Sequence, residues 1–372
     1  MDIVDVKHNN RKKIYFYIRD QKVATKQKIA YDLNLSLPTV TQNLEYLVQK
    51  GMISDEVKEQ NRGGGRNPVA YTYISDVMVA VGVEITYHHI KTAIVDLDGN
   101  VIKYVHKRQL YERSDRYLQL IGDAVDGIIE SGGVDPKKVL GVGIAVSGLI
   151  DQKKGLVVYG RIIDNEGMSK EDFSKYVKYP TKLIHDSNAA GFCEIWMSTE
   201  HKNAYYVNIS NTIGGSVLIN NEVYLGDGLY SGEIGHLNLV PDGGVCYCGQ
   251  KGCADVYCNA EQLSDKTDGD LGLFFIHLKQ GDEEVKALWD RYLDYLAVLI
   301  NDIRMMFGCT IILGGYIGIY IKDYMDDLYE RVNRKNSFFE DASKYLVPCR
   351  HNVEVVASGA ALYFVKDYLD EV

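Results

Sequence analysis

In the first seventy residues apolar side chains recur at helical spacing. From Val77 onward they recur at strand spacing, with helical stretches between. Within Arg11–Asp20, Ile14, Tyr17 and Ile18 share one helical face and predict a first helix. Thr25 is a natural N-cap for a second helix over Lys26–Leu33, with Asn34 as its left-handed stop. Ser36 begins a third helix that Gly51 ends. Pro38 sits in its first turn, where a missing N–H does no harm, and Val40, Leu44, Leu47 and Val48 turn inward. The segment MISDEVKEQNRGGGRNPVAYTYI then reads as two short strands around a thin tip. The order predicts a winged helix-turn-helix, whose third helix enters a major groove. Thr39, Thr41, Gln42 and Asn43 are the short polar groups that would meet base edges and phosphates. Arg62 and Arg66 flank three glycines in a tip thin enough for a minor groove. A plain three-helix bundle with a Gly-Arg linker would show the same periodicity, so the order of caps and basic tip carries the reading.

Beyond Val77 the strands are MVAVGVEI, IKTAIVDLDGNVI with an Asp-Gly turn, and KYVHKRQL, followed by a helix near Arg116–Glu130. The apolar strand in KVLGVGIAVSGLID leads into a loop. In KLIHDSNAAGFCEIW, Asp186 ends a strand and Asn188 opens a helix. A hairpin pair, AYYVNISNTIGGSVLINNEVY, follows. Mixed strands alternating with helices define an α/β body.

That pattern breaks at Gly232–Asp255, GEIGHLNLVPDGGVCYCGQKGCAD, which sets His236, Cys246, Cys248 and Cys253 in the spacing His-x9-Cys-x-Cys-x4-Cys. A Cys3His set is a usual tetrahedral zinc shell, and Gly243, Gly244, Gly249 and Gly252 allow the turns that aim the sulfurs at one point. The alternative is a group of ordinary buried thiols, but this glycine-rich polar segment offers them no apolar pocket. A closed four-ligand shell leaves no place for a water nucleophile, so the expected role of zinc is structural: to hold Glu233 and His236 in place.

The 372 residues are 46% hydrophobic, ample for sizeable cores. No apolar run of about 18 residues occurs, and the N-terminus MDIVDVKHNNRKK lacks a signal-peptide core, so the expectation is a cytoplasmic protein without a membrane partner. Seven cysteines, an odd number with a clustered subset, fit a reducing compartment. The net charge of −10 is divided unevenly. Residues 1–70 hold 12 Lys+Arg against 8 Asp+Glu, a balance of +4, and the rest hold 29 against 43, a balance of −14. A basic small unit on an acidic body fits double-stranded DNA as the partner of the first alone.

Taken together, SGLID at 147–151, HDSNAA at 185–190, GEIGH at 232–236, CYCGQKGC at 246–253 and IILGG at 311–315 resemble the ROK family of sugar-responsive bacterial repressors and sugar kinases. The likeness spans about Val77 to the C-terminus, and the N-terminal unit resembles the winged helices of the repressor branch. It implies a two-lobed actin-like ATPase (ribonuclease H-like) body at 73–372, after a winged helix-turn-helix at 1–72. The lobes would be about 77–193 with 355–372, and 194–354, with the last helix packed back on the first lobe. It also implies a sugar site. Asp186 matches the aspartate that acts as base in the kinases, and Glu233 and His236 match a pair that binds neighbouring hydroxyls, His236 using its other ring nitrogen for zinc. Asn165 matches a family asparagine, although Met168 stands where tryptophan is expected, and Asp255 stands where glutamate is usual. Carboxylates and imidazole suit a sugar in their own right, because each can accept from hydroxyls. Helix capping for Asp186 and a solvated loop for Glu233 are the alternatives.

The family's phosphate loops are altered. Asp-x-Gly-Gly-Thr is Glu84-Ile85-Thr86-Tyr87-His88 here, and the second loop is Ser210-Asn211-Thr212-Ile213-Gly214-Gly215-Ser216, while Gly314 and Gly315 remain. Loops that cradle phosphates need bare backbone N–H groups, so the sequence predicts a non-catalytic relative without ATP. The expected protein is a sugar-responsive repressor that works as a homodimer or homotetramer. The alternatives are an ATP-dependent sugar kinase and a DNA-binding protein whose body only oligomerises.

Overall fold

The computed structural model describes residues 3–58, 69–196, 202–350 and 354–372. The first unit consists of α1 (Ile3–Gln21), β1 (Val23–Thr25), α2 (Lys26–Asp32), α3 (Leu37–Gln49), β2 (Ile53–Lys58) and β3 (Val69–Tyr73). Thr25 and Ser36 cap α2 and α3 by accepting the N–H groups of Lys28 and Thr39, and Asn34 takes the left-handed φ of 52° that the stop requires. The three strands form one antiparallel sheet in the order β1-β3-β2. β1 escapes the periodicity reading because three residues are too few to show alternation. Arg62 and Arg66 lie outside the described residues. On α3, Thr39 and Thr41 are partly exposed and Gln42 is exposed, but Asn43 is buried with its amide donating to the Thr39 carbonyl at 2.8 Å. The expected outward Asn43 is therefore corrected: it shares the inward stripe with Val40, Leu44 and Leu47.

The body has two lobes. Lobe one contains β4 (Val79–Ile85), β5 (His89–Val95), β6 (Val101–Arg108), α4 (Asp115–Ser131), β7 (Val139–Val146), the small hairpin β8 (Leu149–Asp151) and β9 (Leu156–Tyr159), α5 (Lys170–Phe173), β10 (Thr181–His185) and α6 (Asp186–Trp196). Lobe two contains β11 (Ala204–Ile209), β12 (Ile213–Ile219), β13 (Glu222–Tyr224), α7 (Asp255–Cys258), α8 (Glu261–Ser264), α9 (Leu271–Gln280), α10 (Glu283–Phe307), β14 (Thr310–Gly314), α11 (Gly315–Ile321), α12 (Met325–Asn333) and β15 (Leu346–Pro348). Each lobe is built on a five-stranded sheet, ordered β6-β5-β4-β7-β10 in one and β13-β12-β11-β14-β15 in the other. Both sheets run three antiparallel strands and then two parallel ones, a duplication that the sequence itself does not display. The final helix, α13 (Val355–Glu371), returns to lobe one and packs on β4, β7 and α6.

Glycine permits that return. A Cβ at Gly82 of β4 or Gly143 of β7 would lie 1.7 or 2.0 Å from carbonyl oxygens of α13, and one at Gly359 of α13 would lie 1.8 Å from the Ala189 carbonyl of α6. Sheet, α6 and α13 thus meet backbone to backbone. The far end of α13 carries the winged helix. His8 Nε2 lies 2.6 Å from the Asp370 carbonyl, Arg11 donates to the Val372 carbonyl at 2.9 Å, and Lys12 pairs with Asp370 at 2.5 Å. Ile14, Tyr15 and Ile18 of α1 join the same buried cluster as Leu362, Val365 and Leu369 of α13. Tyr73 of the wing sheet bonds Asp98 in the Asp-Gly turn of lobe one, adding a second point of attachment. Among the described residues no helix is long and apolar enough to cross a membrane.

Candidate functional site

Parallel strands end on one side of their sheet, and the loops that follow them gather there. At the end of β7, Ser147 donates its hydroxyl to Asp186 Oδ2 at 2.6 Å, and at the start of α6 the Ser187 N–H donates to Asp186 Oδ1 at 2.6 Å. From lobe two, Glu233 enters at the short turn Ile234–His236. His185 stands between the two carboxylates, its Nε2 3.5 Å from Asp186 Oδ1 and 3.9 Å from Glu233 Oε1. A small cavity beside them is lined by Leu149, Ile150, Gln152, His185, Asn188 and Glu233, among others. Asn188 Oδ1 is buried there without a protein partner, an acceptor in want of a donor. Two carboxylates, an imidazole and a free amide oxygen around an apolar wall can accept from several hydroxyls of one polyol.

The other expected contacts sit differently. Asn165 is fully buried, its amide donating to the Ser147 carbonyl at 3.0 Å, so it props the loop that bonds Asp186 rather than facing the cavity. Met168 is also buried and accepts the Tyr111 hydroxyl on its sulfur at 3.1 Å. Asp255 accepts the Ile213 N–H at 2.7 Å, which ties α7 to β12; burial raises its carboxyl pKa, and that N–H opposes the shift. His236 Nε2 lies 3.1 Å from the Tyr247 hydroxyl, which occupies the place expected for a sugar hydroxyl. The sequence reading missed His185 and Ser147 as site residues, although both lie inside motifs it quoted. It missed Tyr247 because nothing in a Cys-Tyr-Cys spacing says which way the ring turns.

His236, Cys246, Cys248 and Cys253 each offer a ligand atom, all within 4.8 Å of one another. Cys246 Sγ is 3.8 Å from His236 Nδ1, and Cys248 Sγ is 3.8 Å from Cys253 Sγ. A regular tetrahedron with Zn–S bonds of about 2.3 Å places its sulfurs roughly 3.8 Å apart, so the donor set fits zinc. Gly249 and Gly252 take left-handed φ of 91° and 80° to fold the loop, whereas Gly243 and Gly244 leave room for Tyr257 and Val256. Substituting Cys248 by Ser is expected to cut bound zinc to about a tenth or less, because one weak oxygen replaces a thiolate in a four-ligand shell. Metal analysis of the purified variant checks this, and full zinc content would exclude the proposed shell.

The two altered phosphate loops differ in what fills them. Glu84 and Lys91 form a buried ion pair at 2.9 Å where the first loop leaves β4, and Thr86–His89 is the turn into β5. In the second, Ser187 Oγ lies 2.7 Å from where a Cβ on Gly214 would stand and accepts from the Asn208 amide at 3.2 Å. The Gly315 N–H is taken by the Tyr206 hydroxyl at 3.2 Å.

A profile described as ROK family matches residues 80–366. A xylose repressor of Bacillus subtilis (strain 168) is 26% identical over 268 residues, covering 71% of this chain and 70% of that protein. Among solved structures, a ROK family transcriptional regulator, a homolog of the E. coli MLC protein, covers 98% of this chain and 97% of its own with a TM-score of 0.76 at 17% identity. A ROK family glucokinase from Streptomyces griseus, solved with glucose and AMPPNP, covers 77% of this chain and 98% of its own with a TM-score of 0.65 at 22% identity.

Proposed function

Because the chain belongs to the ROK family, we propose that it is a sugar-responsive DNA-binding repressor whose body binds a sugar without phosphorylating it. The observation that carries this reading is the joint between α1 and the end of α13. It fastens a DNA-reading unit to the helix that backs α6, and α6 begins at Asp186. Movement of the lobes around a sugar reaches the winged helix through α13, with the Tyr73–Asp98 bond as a second tie to lobe one. A ligand shifts such an equilibrium only by binding one lobe arrangement more tightly than the other.

Asp186 and Glu233 are the acceptors for the sugar, with His185 and Asn188 between them. Asn165 and Asp255 position the walls, and His236 serves the metal with Nδ1. When bound, zinc supplies a fixed tetrahedral anchor for the loop; the residues themselves orient the sugar. Thr39, Thr41 and Gln42 read the major groove, with Arg62 and Arg66 in the adjoining minor groove, as a homodimer or homotetramer on paired half-sites. The relatives named as xylose repressors make D-xylose the first sugar to try.

The test is to select a DNA duplex by repeated binding enrichment and then titrate the complex with D-xylose, D-glucose and their phosphates. Release or tightening by one neutral sugar supports the reading, and no DNA binding by the full chain overturns it. Gln42→Ala is expected to weaken the selected duplex by roughly 5- to 150-fold, the loss of about 1–3 kcal/mol for one base-edge contact, while nonspecific DNA binds as before. Competition gel shifts read both. The second reading, an ATP-dependent sugar kinase, is favoured by Asp186 standing at the start of α6, beside the cleft, where the kinases of the family carry their base; ADP release coupled to sugar would establish it.

A further inference from the structure

Glu84 and Lys91 are direct cross-strand partners in β4 and β5, and the side chains are only 7% and 5% exposed. Their single contact joins Lys91 Nζ to Glu84 Oε1 at 2.9 Å, and Glu84 Oε2 is buried with no partner. Such a pair is an expensive way to stabilise a sheet, since apolar residues of the same volume do as well or better. A pair kept in this form invites a role in choosing one arrangement over another. Lys91 also reaches beyond its own lobe. Its ammonium lies 5.5 Å from the ring centroid of Tyr316, which stands in the first turn of α11 immediately after Gly314–Gly315 of lobe two. Burial, the largest single influence, works against the ammonium, but the Glu84 charge and hydrogen bond together with Tyr316 and Tyr104 hold Lys91 above the ordinary lysine range. Burial raises Glu84, with Lys91 opposing.

The contact lies at the first of the two altered phosphate loops, where β4 turns into β5. Glu84 is the first residue of the loop that, by the family resemblance, would meet a phosphate, Tyr316 directly follows the retained Gly314–Gly315 pair, and Lys91 reaches both Glu84 and Tyr316. We propose that Lys91 is a built-in substitute for a bound nucleotide: a buried cation that bolts lobe one to lobe two through Tyr316, so that the cleft closes on a sugar with no nucleotide present. Lys91 is thus a positioning residue, acting on Asp186 and Glu233 by holding their two lobes together. The ligand half of this inference rests on the sugar-sensor reading; the lobe-bolting half does not.

Lys91→Met alone leaves the Glu84 carboxylate buried and unpaired and could fail to fold, so the decisive protein is Glu84→Gln/Lys91→Met, which buries no charge. Two measurements are made on the full chain. Hydrogen exchange of the amides in 310–321 is expected to speed up at least tenfold in the double variant and in Tyr316→Leu, with no further gain when the two are combined. D-xylose and D-glucose affinities by calorimetry are expected to weaken about tenfold in the double variant, and in the wild type to be unchanged by millimolar magnesium-ATP. Exchange at the wild-type rate in the double variant overturns the bolt. So does sugar binding by the wild type that tightens with magnesium-ATP. Faster exchange with neither sugar bound by the wild type leaves the bolt standing and sinks the sugar reading instead.

Discussion

Asp186→Ala is expected to bind its operator within about twofold of the wild type and to lose the sugar response altogether. Asp186 sits at the start of α6 in lobe one, outside the unit that holds α3, so the DNA face keeps its geometry. In the cleft it is the group on which Ser147, Ser187 and His185 converge. A hydrogen bond to a charged acceptor contributes about 1.5–3 kcal/mol, so losing two to a sugar lowers affinity by roughly 150-fold or more. Fluorescence anisotropy of the labelled duplex against rising sugar, with calorimetry on the free protein, measures both quantities. Asp186→Asn keeps the shape and one acceptor and should fall between the two. If Asp186→Ala releases DNA at the wild-type sugar concentration, the cleft described here is not the sensor.

The second large effect concerns packing. Gly359→Val places a branched side chain where even a Cβ would stand 1.8 Å from the Ala189 carbonyl. Backbone faces it on that side, so no side chain can swing away. We expect a loss of about 4 kcal/mol or more, seen as a melting temperature lower by roughly 10 °C or as insoluble protein. If soluble variant is recovered, its winged helix should still bind DNA while the sugar response is blunted, because α13 no longer lies against α6. A melting curve that overlays the wild type would show that the close approach of α13 and α6 has been misplaced.

Local chemistry was the legible part of this chain. Thr25, Ser36 and Asn34 announce the ends of α2 and the start of α3 through side-chain caps and a left-handed residue, and the Cys3His spacing announces a ligand cluster that the fold then closes to 3.8 Å contacts. Asn43 was read by type when it should have been read by place. It stands three residues after Val40 and four before Leu47, on the stripe those two define, and its amide is satisfied by the Thr39 carbonyl. Asn165 and Asp255 were assigned to a sugar because family motifs mark positions but not the direction of a side chain. The Glu84–Lys91 pair needs the register of β4 on β5, which no local pattern supplies. The long stretch holding α9 and α10 went unassigned in the sequence reading, although Glu283–Phe307 buries Trp289, Leu293, Leu296 and Ile300 at helical spacing. The duplicated sheets share strand order without sharing a motif, so only backbone pairing reveals them.

The joint between α1 and α13 also has a meaning for how the protein is made. His8 meets residue 370 across 362 positions of chain. On the ribosome the DNA-reading unit is finished long before the helix that restrains it exists. Residues of β4 and β7 must wait with one apolar face bare while all of lobe two is translated, on the order of ten seconds or more at about 5–20 residues per second. For that interval the winged helix stands without the helix that restrains it, tethered to a sticky half-sheet. Contacts between distant positions form late, so chaperones that shelter lobe one would decide how much of each new chain ever comes under the control of its sugar.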